Sequence, residues 1–486
     1  MSRRKARGSS MQSTSGSSER VVSTGRRSPA RVVAAVVGVL AVALGIAVVP
    51  ANAITYSRDS SGAIALPSGS SCPTIQTPAP FEAWFNIDDM ERRGFWDPKQ
   101  HSAWDYSKKL SQIICGAAPN SQIKIGMFFI RALGTMSGSA LGDRPETDAD
   151  VVYRALEWVK KNRKVTVGLV LDGGTINPAG EKAKISLRLR SIASIYYCSN
   201  GCFNVNKAAV YPFAINHEKF LTISDTVWDT AGGRHPAILS LSGNFARSQL
   251  RNYHQEVTLV YDDQAMFRMF DARYNAMTYC ATKGCPKATG FTGMKLVKQR
   301  GIWVDPIYRH YTDVNRGTAV SFTPATKDAR DFYVQQFDDV DCSVDNDIRI
   351  AMFKLTDAKA EQMVNSLVRL KKRGCDISML LTYQGGSTTI SPIVVRELRQ
   401  AGIPTRCTTV AMHTKLILIG PKRSNLGRAL TGTQNMSVAG LRYNEEHVIT
   451  FDTRRASGPY LEPMRRLYSQ YMNGWYDLSK DTRSCS

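Results

Sequence analysis

Apolar and polar positions along this chain fall into two trains of the same order. Ile123-Lys-Ile-Gly-Met-Phe128 opens one and Ile348-Arg-Ile-Ala-Met-Phe353 opens the other. Short apolar runs of this kind predict buried strands. Each leads into a stretch with helical periodicity, Val151 to Lys161 and Glu361 to Lys372, that closes on paired lysines. Each helix leads into an apolar strand ending in two glycines, Val165 to Gly174 and Ile377 to Gly386. A second helical pattern and a further strand follow. Strand, helix, strand, helix, strand, written twice, predicts an α/β fold of two duplicated lobes, each with a mostly parallel sheet. The lobes are expected over 81–290 and 306–486, with a linker over 291–305.

The first 53 residues lie outside this pattern. Eight arginines and lysines, from Arg3 to Arg31, precede an apolar run from Val32 to Val49, and Ala51-Asn-Ala53 supplies the small residues a signal peptidase reads. This is the layout of a secretory signal, so the chain is expected to be exported. The run is also just long enough to span a bilayer, which makes an uncleaved anchor the alternative. Residues 54–80, rich in Ser, Gly and Pro, are expected to form an extended entry segment.

All ten cysteines lie beyond the signal, and an even count in an exported chain argues for disulfides. Cys198 with Cys202, and Cys280 with Cys285, are close enough to close small loops. Cys375 and Cys407 each stand beside a strand, so a staple between neighbouring strands is expected there. Cys72 with Cys115 and Cys342 with Cys485 follow by elimination. The alternative is a zinc site from the two short cysteine pairs, which export disfavours. Without the signal the chain carries 55 Lys and Arg against 40 Asp and Glu, a net charge of +15. Such a surface suits a polyanionic partner, whether nucleic acid, cell-wall polyphosphate or anionic lipid. No glycine loop, Walker lysine or EF-hand is present, so nucleotide-binding and calcium-binding classes are set aside.

The chemistry lies in a short pattern that also occurs twice. His217-Glu-Lys219 is followed by Ser242-Gly-Asn244 and then Glu256, and His413-Thr-Lys415 by Thr433-Gln-Asn435 and then Glu446. Residues two apart on a strand share a face, so each His and Lys point together. Phe220 to Ile223 and Leu416 to Ile419 continue without polar alternation, as a strand covered on both faces does. That places each His-Lys pair at a sheet edge, where a pocket can form. The two lysines, the two asparagines and the hydroxyls of Ser242 and Thr433 can bind a phosphate and offset the charge that grows on its oxygens. Glu256 and Glu446, each six residues before an Asp, can hold a histidine by its second ring nitrogen. Two facing histidines can divide the work, one attacking phosphorus and the other protonating the leaving oxygen. His101, His235, His254, His310 and His447 have no repeat partner and receive no role.

The doubled His-x-Lys with its following hydroxyl-x-Asn and Glu resembles the phospholipase D superfamily over about residues 81 to 475. The resemblance implies a site at the interface of lobes related by a pseudo-twofold axis, a phosphohistidine intermediate, and no metal or other cofactor. It implies His217 as nucleophile and His413 as general acid and then base. Lys219, Lys415, Asn244 and Asn435, helped by Ser242 and Thr433, would bind phosphate. The chain departs from the family where an Asp is expected four residues after each Lys: Ser224 and Gly420 stand there, and Asp225 lies one residue late. Gly-Ser before the Asn is likewise replaced, by Leu241-Ser242 and Gly432-Thr433. The expected activity is that of a secreted, monomeric phospholipase D acting on a phospholipid headgroup ester, with peripheral contact to a membrane. The alternatives are a metal-independent nuclease of the same superfamily and a weakly active polyanion-binding protein.

Overall fold

The computed structural model describes residues 72, 78–86, 102–130, 148–173, 189–198, 201–203, 214–228, 233–245, 249, 253–283, 297–299, 302–304, 310–324, 331–382, 390–480 and 482–485. The signal expected over 1–53 lies outside them, as does nearly all of the expected entry segment. Among the described residues no helix is long and apolar enough to cross a membrane.

Strands β1 (Phe81–Asn86), β2 (Gln122–Met127), β3 (Thr166–Asp172), β4 (Ser194–Cys198), β5 (Lys219–Ile223), β6 (Ala237–Leu241) and β7 (Gln255–Tyr261) form one sheet in the order β1-β7-β6-β5-β2-β3-β4. A hairpin of β8 (Val297–Gln299) and β9 (Ile302–Val304) falls within the stretch expected as linker. The second sheet contains β10 (His310–Asp313), β11 (Thr318–Thr323), β12 (Asp347–Met352), β13 (Asp376–Leu381), β14 (Thr405–Thr408), β15 (Lys415–Gly420), β16 (Arg428–Gly432), β17 (Glu446–Asp452) and β18 (Thr482–Ser484). Its order is β10-β11-β17-β16-β15-β12-β13-β14-β18, which repeats the first sheet and adds one strand at each edge.

The two duplicated α/β lobes are therefore present, but the sheets are mixed rather than mostly parallel. Only β2-β3-β4 and β12-β13-β14 run parallel. The strands from each His-x-Lys onward pair antiparallel one after the next, and in the second lobe the short helix Val438–Arg442 lies between β16 and β17.

The helices Ser102–Cys115 and Asp148–Arg163 cover the outer face of the first sheet. Phe332–Asp338, Asp357–Lys372 and Pro392–Gln400 cover that of the second. Between the inner faces lie the helices Gln264–Lys283 and Leu461–Lys480 in one shared core. Phe270 packs edge-on against Phe220 of the first sheet and Phe322 of the second, both at 5.2 Å. Tyr471 in the other helix similarly touches Phe85 at 6.1 Å and Phe451 at 6.2 Å. Large aromatic side chains thus bridge both sheets and fix how the lobes meet.

Cys72–Cys115 and Cys198–Cys202 are bonded as expected. Cys280 is disulfide-bonded, and Cys285 lies outside the described residues. The other two pairings are corrected to Cys342–Cys375 and Cys407–Cys485. Cys375 precedes parallel strand β13, whereas Cys407 pairs with Leu381 at its far end. Six residues of strand, about 20 Å, therefore separate the two sulfur positions. Cys342 lies before β12 and meets Cys375 at the same sheet end. Strand β18 pairs with β14 and brings Cys485 to Cys407.

Candidate active site

His217 and His413 each lie just before a buried strand, β5 or β15, and meet across the lobe interface with ring centroids 6.4 Å apart. Both are more than nine-tenths buried. The approach to each histidine is clamped by the opposite lobe. Glu445 donates its N–H to Ile215 O at 3.1 Å and accepts from His217 N at 3.0 Å. His254 does the same for Ala411 O, at 2.8 Å, and His413 N, at 2.6 Å. From within each lobe, Asp172 Oδ2 accepts from Asn216 N at 2.7 Å and Thr382 Oγ1 from Met412 N at 2.8 Å.

Lys219 Nζ donates to His217 O at 2.7 Å and Lys415 Nζ to His413 O at 2.6 Å, so each ammonium is held under its own histidine. Phe128 lies 5.4 Å from the His217 ring, and Phe353 4.3 Å from that of His413. The same rings sit near the lysines, Phe128 5.7 Å from Lys219 Nζ and Phe353 5.0 Å from Lys415 Nζ. Tyr253 adds an edge 6.0 Å from His413. These aromatic walls received no role from the sequence, although Phe128 and Phe353 close the two repeated strands and were visible there.

The second ring nitrogens are treated differently. His217 Nδ1 lies 3.2 Å from Glu446 Oε2, an ion-pair distance without the alignment of a hydrogen bond. His413 Nδ1 meets the Ser242 carbonyl and lies 2.8 Å from Lys415 Nζ. A carbonyl only accepts and an ammonium only donates, so Ser242 favours a proton on Nδ1 while Lys415 favours its lone pair.

Glu256 and Glu446 were each expected to hold a histidine, but strand register does not match them to one another. Leu241 pairs with Val257 while Gly432 pairs with Val448. Ser242 N donates to Glu256 O where Thr433 N donates to His447 O. In the folded repeat, therefore, Glu256 is the counterpart of His447, and Glu446 is the counterpart of Gln255. Glu256 Oε1 accepts from Lys415 N and from Thr431 Oγ1, both at 3.2 Å. His447 occupies the mirrored place, with Nδ1 2.6 Å from Glu218 and Nε2 2.7 Å from Ser240 Oγ. Arg273 donates to Glu218 at 3.0 Å and completes a buried network beneath the site. His447 therefore has a structural place that sequence spacing alone did not assign.

Ser242 Oγ accepts from Glu256 N at 2.9 Å, and Thr433 Oγ1 from His447 N at 3.0 Å, so both hydroxyls close strand ends. Asn244 donates its side-chain amide to Gln249 Oε1 at 3.0 Å, and Asn435 N donates to Glu446 Oε2 at 3.2 Å. Ser224, Asp225 and Gly420 lie at the opposite ends of the strands from the histidines. Ser224 Oγ accepts from Gln122 N at 2.9 Å, and Asp225 Oδ1 from His235 N at 3.0 Å. A Cβ at Gly420 would come 2.5 Å from Leu426 O, which leaves no space for a side chain.

Burial dominates the electrostatics. It holds His217 well below its ordinary pKa, with Lys219, Lys415, His413 and Lys354 adding to the effect. His413 is lowered well below its usual range by burial, Lys415 and Lys219, against the Ser242 carbonyl. Burial pushes Lys415 down to about 7, against Glu256 and Glu446. It pushes Glu446 up to about 8, against Lys219, Asn444 and Lys415. Two neutral imidazoles and two crowded lysines make a pocket in which a phosphate anion supplies the missing counter-charge. Among the described residues no group of His, Cys, Asp and Glu could hold a metal ion.

The family described as cardiolipin synthase, PLD-like domain, matches residues 343–468, within the second lobe. No curated protein matches the chain. Among solved structures, phosphatidylserine synthase of Haemophilus influenzae is 10% identical, with a TM-score of 0.53 over 85% of this chain and 88% of that one. The Salmonella typhimurium phospholipase D family member Nuc is 20% identical over 35% of this chain and 97% of its own, with a TM-score of 0.27. Polyphosphate kinase of Porphyromonas gingivalis is 12% identical with a TM-score of 0.43; 76% of this chain is covered, and it spans under half, 47%, of the kinase. Over residues 343–468 the chain resembles that family, and its duplicated lobes share the fold of phosphatidylserine synthase.

Proposed function

We propose that the chain is an exported phosphodiesterase that cleaves the headgroup ester of a glycerophospholipid through a phosphohistidine. The observation that carries this reading is the pair of buried, mutually facing imidazoles 6.4 Å apart, each with a lysine beneath it. Reacting atoms approach to about 3–3.5 Å before bonds form, so that gap fits one phosphoryl group between the two rings. His217 Nε2 attacks phosphorus as the P–O bond to the leaving alcohol breaks. His413, which takes up a proton once the anion offsets the nearby lysines, gives it to the departing oxygen. Water then enters: His413 takes a proton from it, the oxygen bonds to phosphorus, and the P–N bond to His217 breaks. Lys219 and Lys415 offset the charge on the phosphoryl oxygens throughout. Glu446 faces the imidazole that becomes cationic.

Export is supported by the signal-like N-terminus and the disulfides. A lipid substrate is supported by the matched family being named for cardiolipin synthase. The net charge of +15 beyond the signal also suits nucleic acid. Phosphatidylcholine vesicles and plasmid DNA offered side by side in EDTA separate the two. Headgroup release without DNA cleavage is the expected result, and ethanol should divert the lipid product to phosphatidylethanol. DNA cleavage with intact lipid would overturn the lipid reading.

A further inference from the structure

Glu445 precedes Glu446 in the chain but reaches in another direction, and it takes no part in the chemistry above. It is fully buried. Its Oε1 accepts from Phe203 N at 2.9 Å, and the Cys202 backbone bonds the same carboxylate. One donor, Cys202, is bonded to Cys198 at the end of β4, and the other, Phe203, follows it directly. Gly201, in the turn between the two cysteines, has φ of +79°, and a Cβ there would lie 3.0 Å from both carboxylate oxygens. The turn is therefore moulded around the Glu445 side chain. The main chain of Glu445 meanwhile holds Ile215 O and His217 N. One residue thus joins a disulfide-closed turn to the backbone that presents His217. Arg273 sits over Phe203 at 4.6 Å and supports the same corner. Burial pushes the Glu445 carboxyl up to about 7 against Arg273 and the two backbone donors, with Asp172 pushing the same way.

We propose that Glu445 is a positioning residue: it transmits the shape of the Cys198–Cys202 turn to His217 and so sets how that ring meets Glu446 and the phosphorus. The inference rests on His217 being one of the two reacting histidines. Its counterpart in the other half, His254, holds Ala411 and His413 by main-chain bonds alike, while its ring lies 3.3 Å from Asn86 O. The disulfide-linked turn therefore acts on one half-site.

The test uses the full chain with ¹⁵N-labelled histidine. Ring-nitrogen NMR shifts report the tautomer and surroundings of His217, identified by the signals lost in His217→Gln. Activity is read on bis(4-nitrophenyl) phosphate. Glu445→Ala, and Cys198→Ser combined with Cys202→Ser, should move the His217 ring signals and leave those of His413 in place. They should lower kcat about tenfold or more with KM little changed, as a small misplacement of a reacting group does. Glu445→Gln still accepts from Phe203 N and should retain parent-like shifts and kcat. A folded Glu445→Ala with unchanged His217 signals and kcat would overturn the proposal, as would Glu445→Gln being as damaging as Glu445→Ala. Should Glu445→Ala not fold, Gly201→Ala presses one methyl group onto the carboxylate; unchanged His217 signals in that variant also overturn it. A parent that cleaves no phosphodiester counts against the proposed function, while the ring signals still decide the positioning of His217.

Discussion

In the first half-site His217 faces a carboxylate from the opposite lobe, Glu446; in the second, His413 faces the carbonyl of Ser242, also from the opposite lobe. The strands that carry them are matched residue for residue, and the structural counterpart of Glu446 is the neutral Gln255. A carboxylate stabilises an imidazolium through full charge, whereas a carbonyl offers only a dipole. In the proposed mechanism Glu446 therefore faces the ring that becomes cationic, and that cation would draw the raised carboxyl into its charged form. Burial and the two lysines hold both rings below their ordinary range, so the partner on the second ring nitrogen is what differs between them. The duplication supplied two similar pockets, and the unequal partners give them unequal tasks.

Removing either ring should break the comparison outright. His217→Ala and His413→Ala are each expected to lower kcat at least ~10²-fold, the low end for losing an acid-base group. His235→Ala, at the far end of the first sheet, should be close to silent. Near-parent activity in either of the first two would end the two-histidine reading.

Glu446→Gln sharpens the contrast. Losing the carboxylate at ion-pair distance from the ring should lower kcat about tenfold, a barrier change of about 1.4 kcal/mol. Gln255→Ala, at the matched position, should change kcat by less than about threefold, because its amide donates to Gln249 O at 2.9 Å rather than serving His413. Equal losses in the two variants would mean that the half-sites work alike.

A smaller effect appears in the pH dependence. Burial pushes Lys415 down to about 7, so kcat/KM for an anionic diester should fall about tenfold per unit as pH rises above it. The same depression, from 10.5, is a linkage: the stability associated with it is present above the unfolded pKa and lost as pH falls through about 7. Inorganic phosphate should restore part of that loss, raising Tm more at pH 6 than at pH 9. A phosphate shift independent of pH would remove Lys415 from the binding role.

Much of the site was legible because chemistry and periodicity coincided: His217, Lys219, His413 and Lys415 stood at matched places on matched strands. What was hidden depended on strand register. Glu256 and Glu446 each stand six residues before an Asp, yet the ladder pairs Glu446 with the place of Gln255, since one residue of offset is invisible to spacing alone. Strand direction was hidden for a similar reason, because a buried apolar run reads alike whichever way it runs. Cys375 and Cys407 do flank paired strands, but at opposite ends of them. The spacing to the following Asp favoured Glu446 over Glu445, whose partner Phe203 lies more than two hundred residues away in sequence.

Each histidine is gripped by main chain from the opposite lobe, so neither lobe alone holds a finished half-site. A lone lobe could complete its site only by associating with a second copy, and every substitution would then appear twice. Joining the halves in one polypeptide lifts that constraint. Position 446 can keep its acid while position 255 becomes an amide, and one half can gain a disulfide-closed turn without its mirror image. The covalent link between the lobes is therefore what permits specialisation: it lets a symmetric pocket inherit its two ends separately.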